Sequence, residues 1–237
     1  MASPIAGLGA TIRRQSTAGQ AAGAIRDAIL SGRIPPGAPL REAALATELS
    51  LSRNTIREAA RILEGEGLVR YQMNRGIVVA EVTADDVRDI YTARAAAEKA
   101  GADALTTHRD PAIYQKLADL VGRIERTFAQ GDVAGVLAGD RLFHATLVTA
   151  AGSARLSRFH AQLQQEQRLA LSLAERSSRQ LGRTADDHRE LLSALRGSPA
   201  GARAGLAAHL QAGAAELQRF LDLLSERKET QKDGTDP

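Results

Sequence analysis

Apolar residues recur with helical spacing along most of this 237-residue chain. Between Leu40 and Val69 the spacing is most specific. Leu40, Ala44, Leu45 and Leu49 share one face of a short helix. Ser50 and Leu51 interrupt it, and Ser52 stands where it can cap a second helix. In that second helix Ile56, Ala60 and Leu63 fall at i, i+4 and i+7, a stripe suited to a core. Arg53, Arg57 and Arg61 recur every fourth residue on a different face, with Asn54 beside them. Gly67 follows the last apolar turn, as a helix stop does. The pattern predicts two short helices joined by a tight turn, the second buried on one face and arginine-lined on another.

The flanking stretches complete the unit. A helix from Ser16 puts Ala21, Ile25, Ala28 and Ile29 on one face and ends at Gly32, before the stiff turn Ile34-Pro35-Pro36-Gly37. Leu68–Gln72 and Gly76–Ala80 favour strands, and Met73-Asn74-Arg75-Gly76 between them has hairpin-turn residues. Helix, helix, helix, hairpin is a winged helix-turn-helix, expected over residues 14–80 behind a disordered tail at 1–13.

Residues 81–83 read as a linker. Thr83-Ala84-Asp85-Asp86 is a capping box with Asp in place of Glu. It opens a helix to about Thr107. Further helices start at Asp110-Pro111 and at Gly131-Asp132, reaching about Gln130 and Ala151. Others start at Ser153, Thr184 and Ser198-Pro199, reaching about Ser177, the residue before Gly197, and Leu224. No strand-like alternation follows residue 80. The fold class expected is therefore mainly α: a winged helix-turn-helix, then an all-α bundle of about six helices over 84–225. Residues 226–237, charged and without apolar positions, read as a disordered tail.

Composition narrows the chemistry. With no cysteine, a disulfide framework and a thiolate metal site are excluded, and a cytoplasmic location is expected. No apolar run approaches the roughly 20 residues of a membrane span, and no apolar segment follows Arg13-Arg14 as in a signal peptide. The net charge of +3 says little, but its distribution says more. Residues 1–80 hold ten arginines against six acidic residues, so the basic excess coincides with the helix-turn-helix. Phosphate binding requires that. A short helix with an arginine-lined, hydrogen-bonding face fits the major groove of double-stranded DNA. Arg75 at the wing tip is either a groove or phosphate contact or a solvated turn residue.

The bundle has its own anomalies. Asp140 and His144 are four residues apart on a face continued by Leu147 and Ala151. His188 shares an amphipathic helix with Leu191, Leu192 and Leu195, and His209 shares one with Leu206, Leu210 and Leu217. One carboxylate and three imidazoles suit a divalent first-row metal such as Zn, Ni or Mn. For Asp140 and His144 taken alone, a structural hydrogen bond serves as well. Arg94 lies in the stripe Val87, Ile90, Ala97, Gly101, where an unpaired charge is costly. It either pairs with Glu98 one turn on or clamps the carboxylate of a ligand. His108 falls in a polar loop region and His160 beside Phe159; neither is assigned to the metal site.

At these residues the sequence resembles the GntR family of bacterial transcription regulators, FadR-like subgroup, over about residues 14–224. The resemblance rests on PPGAPLREAALATELSLSRNTIREAARILEGEGLV with the NRG wing, and on RAAAEKAGADAL, DRLFHATLVTAAG, HRELLSAL and AHL in the bundle, which look like that subgroup's FCD domain. It implies a cytoplasmic homodimer on a palindromic operator, usually a repressor, released by a small carboxylate bound to the helical domain. It puts the metal ligands on Asp140, His144, His188 and His209, the recognition arginines on Arg53 and Arg57, and the wing contact on Arg75-Gly76. Three positions depart from the family's pattern. Ala43 replaces a basic residue, for which Arg41 is a substitute. Ser50 replaces a turn glycine, and Ser153 an asparagine after the Asp/His helix.

The expectation is thus a non-enzymatic transcription regulator. Its DNA-contacting set is Arg41, Ser52, Arg53, Asn54, Thr55, Arg57, Arg75 and Gly76; its metal set is the four residues above, with Arg94 on the effector. Two rivals stand beside it. A metal-dependent hydrolase would need a general base, for which no separate carboxylate is clearly placed, and would leave the arginine-lined helix unused. A DNA-binding protein without an effector would make the four metal-set residues mere packing groups.

Overall fold

The computed structural model describes residues 16–172 and 178–233, so the tail expected at 1–13 lies outside the described residues. The chain divides after Glu81 into two compact units.

The first unit contains α1 (Thr17–Leu30), α2 (Glu42–Glu48), α3 (Arg53–Gly65), β1 (Val69–Gln72) and β2 (Gly76–Val79). Ser16 caps α1, its hydroxyl accepting the Gly19 N–H at 3.0 Å. α1 packs on α3, and Ile25 and Ile29 of the first and Ile56 and Leu63 of the second are all fully buried or nearly so. The turn between α2 and α3 puts Ser50 at φ 53°, the left-handed region where glycine is at ease and serine is strained. The departure noted at Ser50 is therefore accommodated by a strained serine. Ser52 then caps α3 by accepting the Thr55 N–H at 3.1 Å. β1 and β2 pair antiparallel with Val69 opposite Val79 and Gln72 opposite Gly76. Asn74 and Gly76 take the positive φ the hairpin requires, 65° and 72°.

The second unit is helical: α4 (Ala84–His108), α5 (Pro111–Ala129), α6 (Val133–Thr149), α7 (Ala154–Ser172), α8 (Ser178–Arg196) and α9 (Pro199–Asp233). The Thr83 hydroxyl accepts the Asp86 N–H while the Asp86 carboxylate accepts the Thr83 N–H, so the shortened capping box closes. Asp110 and Asp132 cap α5 and α6 through their carboxylates. α4 lies against α6, α7 and α9, which makes it the central helix of the unit. Leu105, Leu117, Phe143, Leu147 and Leu191 fill the space between the helices. α4 and α6 cross so closely at Gly101 that a Cβ there would overlap the carbonyl oxygen of Leu147. Among the described residues no helix is long and apolar enough to cross a membrane.

Two boundaries differ from expectation. α8 begins at Ser178, not at Thr184, because one interior glycine, Gly182, costs a helix only about 1 kcal/mol. α9 runs to Asp233, through part of the tail expected at 226–237. Glu226–Lys232 lacks apolar residues, which argues against burial but not against helix, since Glu, Arg, Lys and Gln are good helix formers. Residues 234–237 lie outside the described residues.

The crossing at Gly101 yields a prediction. Gly101→Ala should destabilise the bundle by about 1–3 kcal/mol, the usual cost of overpacking a core. Chemical unfolding monitored by circular dichroism reads this; an unchanged midpoint would mean the two helices do not meet there.

Candidate functional site

In the first unit the amphipathic pattern of α3 is realised. Ile56, Ala59, Ala60 and Leu63 are buried, and Arg53, Asn54, Arg57 and Arg61 are exposed. The Arg57 side chain is 58% exposed, and its Nε donates to Glu42 Oε2 on α2 at 2.8 Å. This pair holds the guanidinium against α2 while leaving it open to water. The Ser52 and Thr55 hydroxyls lie 2.8 Å apart and belong to the cap. Arg41 is exposed at the start of α2. At the wing, Arg75 donates to Gln72 Oε1 at 3.1 Å and to the Gly37 carbonyl at 3.4 Å, with Gly76 beside it. The eight residues expected to touch DNA thus lie on α3, at the start of α2 and at the wing tip, and their side chains, where they have them, are not buried in the core.

In the second unit α6, α8 and α9 bring three histidines together. Ring centroids are 5.2 Å apart for His144 and His188, 5.1 Å for His144 and His209, and 4.7 Å for His188 and His209. One ligand atom from each ring lies within 4.8 Å of the others. Nε2 of His144 and Nε2 of His209 face each other at 3.2 Å. Asp140 Oδ1, one turn before His144 on α6, lies 3.5 Å from His188 Nε2 and 4.0 Å from His144 Nε2. The four residues expected to converge do so, on the wall of a cavity of about 420 Å³ that Tyr91 and Arg94 also line.

The hydrogen bonds of the rings point the same way. His188 Nδ1 lies 2.7 Å from the Thr184 carbonyl, so that nitrogen carries the ring proton. Nε2 of His188 is buried and has no hydrogen-bond partner among the described residues. Buried polar atoms are nearly always satisfied, and one aimed at two other imidazoles and a carboxylate is what a cation would satisfy. Burial holds His188 down to about 4, against the opposing pull of Asp140. Burial, then His144 and His188, hold His209 down to about 2. Both rings are therefore neutral near pH 7, the form that coordinates metals.

Arg94 is more enclosed than a simple clamp would be. Its side chain is 2% exposed, its Nε donates to Glu98 Oε1 at 2.9 Å, and it donates to Gln167 Oε1 at 2.7 Å. The guanidinium also stacks over the Tyr91 ring, 4.9 Å from its centroid. The local pairing with Glu98 is thus real. Burial would lower Arg94's pKa, but Glu98 raises it above the ordinary value. Burial likewise opposes the charge on Glu98, yet Arg94 and then His144 hold its carboxyl well below the usual range.

Sequence reasoning missed two residues here, and for Glu98 it foresaw the pairing with Arg94 but not the reach to α6. His160 on α7 is buried, with Nε2 3.0 Å from Glu98 Oε1. Gln167, also on α7, links Arg94 to the Tyr91 hydroxyl, to which it donates at 2.9 Å. Glu98 reaches His144 Nδ1 at 2.6 Å. The only signal for Glu98 was its place one turn beyond Arg94; nothing in the spacing along α7 announces that His160 and Gln167 face α4.

Comparison with known proteins agrees with both halves. Residues 17–79 match the model for bacterial regulatory proteins of the gntR family, and residues 89–212 match the FCD domain. The probable D-xylose utilization operon transcriptional repressor of Paenarthrobacter nicotinovorans is 30% identical over 85% of this chain and 88% of its own length. An HTH-type transcriptional regulator from the TAR-I ttuE-ttuC' intergenic region of Agrobacterium vitis is 33% identical over 54% of this chain and 77% of its own length. The crystal structure of a GntR transcriptional regulator from Rhodococcus sp. RHA1 superposes with a TM-score of 0.74 at 31% identity, over 85% of this chain and 97% of that one.

The depressed histidines set a pH dependence. The folded value of about 4 for His188 lies below the 6.5 of an ordinary histidine, so below pH 6.5 the unfolded chain binds more protons. Metal-free protein should be most stable above pH 6.5 and lose stability progressively as the pH falls towards 4. Thermal unfolding in the presence of a chelator measures this, and His188→Gln should flatten the slope. A melting temperature that stayed level from pH 7 to pH 5 would contradict a neutral buried ring.

Proposed function

Because this chain belongs to the gntR family of bacterial regulatory proteins, carries an FCD domain and is thus a DNA-binding transcriptional regulator, we propose that it is a metabolite-responsive repressor acting as a homodimer. The observation that carries the reading is the pairing of two constellations in one chain: an exposed arginine face on α3 and a cavity walled by three converging imidazoles. The relatives are transcription regulators, so the hydrolase alternative is set aside.

On DNA, α3 enters the major groove. Arg53 and Arg57 read guanine edges, and Asn54 and Thr55 add base or phosphate contacts, while Ser52 fixes the helix start. Arg41 and the wing residues Arg75 and Gly76 meet the backbone or the adjacent groove. Two copies related by two-fold symmetry make the operator a near palindrome.

In the helical unit, Asp140, His144, His188 and His209 hold a divalent cation; Zn, Ni and Mn suit this oxygen and nitrogen set. A bound cation would supply Lewis acidity and fixed positive charge to attract a small carboxylate. Arg94, with Gln167 and Tyr91 beside it, presents cationic and polar groups in the same cavity and orients that carboxylate. The effector weakens repression only by binding the DNA-free form better than the DNA-bound one.

Two measurements test this reading. Arg57→Ala should weaken binding to an operator obtained by selection from random DNA by about 1–3 kcal/mol, roughly 5- to 150-fold, and relax preference at one position per half-site. Fluorescence anisotropy at fixed salt reads both; full affinity with full preference would remove Arg57 from the interface. A thermal-shift screen of small organic acids, run with and without added Zn, Ni or Mn, should find an acid that stabilises the protein only when metal is present. A dissociation constant of one hundredth of the ligand concentration gives about 2.7 kcal/mol. Stabilisation by an acid in the presence of a chelator would contradict the metal's part.

A further inference from the structure

Glu98 lies at the middle of α4 with no exposed surface, and its two carboxylate oxygens face different neighbours. Oε1 accepts from Arg94 Nε at 2.9 Å, has the terminal Arg94 nitrogen at 2.8 Å, and has His160 Nε2 at 3.0 Å. Oε2 faces His144 Nδ1 at 2.6 Å. A guanidinium only donates, so Arg94 pins Oε1 as an acceptor, and His160 from α7 closes the remaining side. The carboxylate is held from two helices and cannot rotate.

The consequence falls on His144. An ionised carboxylate only accepts, so the short contact to Nδ1 requires the proton of the neutral ring to be there. The lone pair is then on Nε2, the nitrogen that meets His209 Nε2 at 3.2 Å and looks towards Asp140. Were the proton on Nε2, it would occupy the space in which the other imidazoles converge, and no cation could take that nitrogen. We propose that Glu98, clamped by Arg94 and His160, is the positioning residue that fixes the tautomer of His144 and so makes the histidine cluster competent to bind a cation; this rests on the metal reading above. It also gives Arg94 two neighbours with opposite demands, the carboxylate behind His144 and the cavity in front. The effector site and the cation site therefore share one buried ion pair.

Glu98→Gln separates the tautomer from the shape of the side chain. The amide oxygen stays towards Arg94 and His160, because an NH2 group cannot face their N–H donors. The NH2 then faces His144 Nδ1 and demands a lone pair there, which moves the ring proton to Nε2 and blocks the site.

The experiment has two parts, both on the full chain. Nitrogen-15 NMR of the five histidines in metal-free protein at pH 7.5 reads each tautomer directly. Competition titration against a chromophoric chelator reads Zn2+ affinity, and Co2+ absorption reads the coordination. The expected result is a proton on Nδ1 of His144 in the native chain and on Nε2 in Glu98→Gln. Zn2+ affinity in the variant should be weaker by about 10- to 100-fold, the range seen when a partner behind a metal ligand is lost. The variant leaves Arg94 without its counter-charge, so folding is checked by circular dichroism; if it fails to fold, the tautomer in the native chain still decides. A native His144 with its proton on Nε2 overturns the proposal, as does a folded variant that binds Zn2+ as tightly as the native chain. A native chain with no affinity for Zn2+ or Co2+ overturns the metal reading and the proposal with it. That outcome is distinct from one in which the native chain binds metal and the variant matches it.

Discussion

A carboxylate and a guanidinium buried side by side on one helix are the constraint on which the second unit turns. Either charge alone inside a protein would be very costly, and a buried pair stabilises only when its remaining donors and acceptors are also satisfied. Arg94 and Glu98 meet that condition through α7 and α6: Gln167 and His160 from the first, His144 from the second. The need to satisfy this pair therefore fixes how three helices register against one another. The close crossing of α4 and α6 at Gly101, one turn beyond Glu98, serves the same end by letting the backbones approach. A side chain there would meet the α6 backbone at Leu147 and Val148.

The same network also shapes the histidine cluster. Three imidazoles within 5.2 Å of one another bury surface, but their nitrogens repel unless something lies between them. Each proton that the structure fixes is drawn outward, on His188 to the Thr184 carbonyl and on His144 to Glu98, so the lone pairs face inward. Under the cation reading proposed above, this arrangement costs stability without a cation and gains it with one. Arg94, Gln167 and Tyr91 sit where the network reaches the cavity, so under the proposed function the charge of an anionic ligand there is felt by the pair that orients His144.

The first unit obeys a simpler rule. α3 is a rod packed on α1, α2 and the wing, and its arginine face is left exposed. Glu42 keeps Arg57 extended across the surface without burying it, and the strained Ser50 sets the angle between α2 and α3. Because a serine holds a conformation glycine would take at less cost, the turn is kept by the packing around it rather than by local preference.

Local chemistry was sufficient for the elements: the stripe Ile56, Ala60, Leu63, the caps at Ser16, Ser52, Thr83, Asp110 and Asp132, and the hairpin at Asn74-Arg75-Gly76 all act within a few residues, so they are written in the order of the chain. Periodicity also identified which helices turn Asp140, His144, His188 and His209 inward. It erred where a rule about burial was used to judge helicity, at residues 226–233, and where a helix start was placed at Thr184 although the chain is already helical from Ser178. What the linear order could not contain was which inward faces meet. Glu98 and His144 are 46 residues apart and Glu98 and His160 are 62 apart. Their contacts exist only because α4 is crossed by α6 and α7 at one level. Helical spacing assigns each side chain a face; only the packing of whole helices decides its neighbour, and the proton on a histidine belongs to the neighbour.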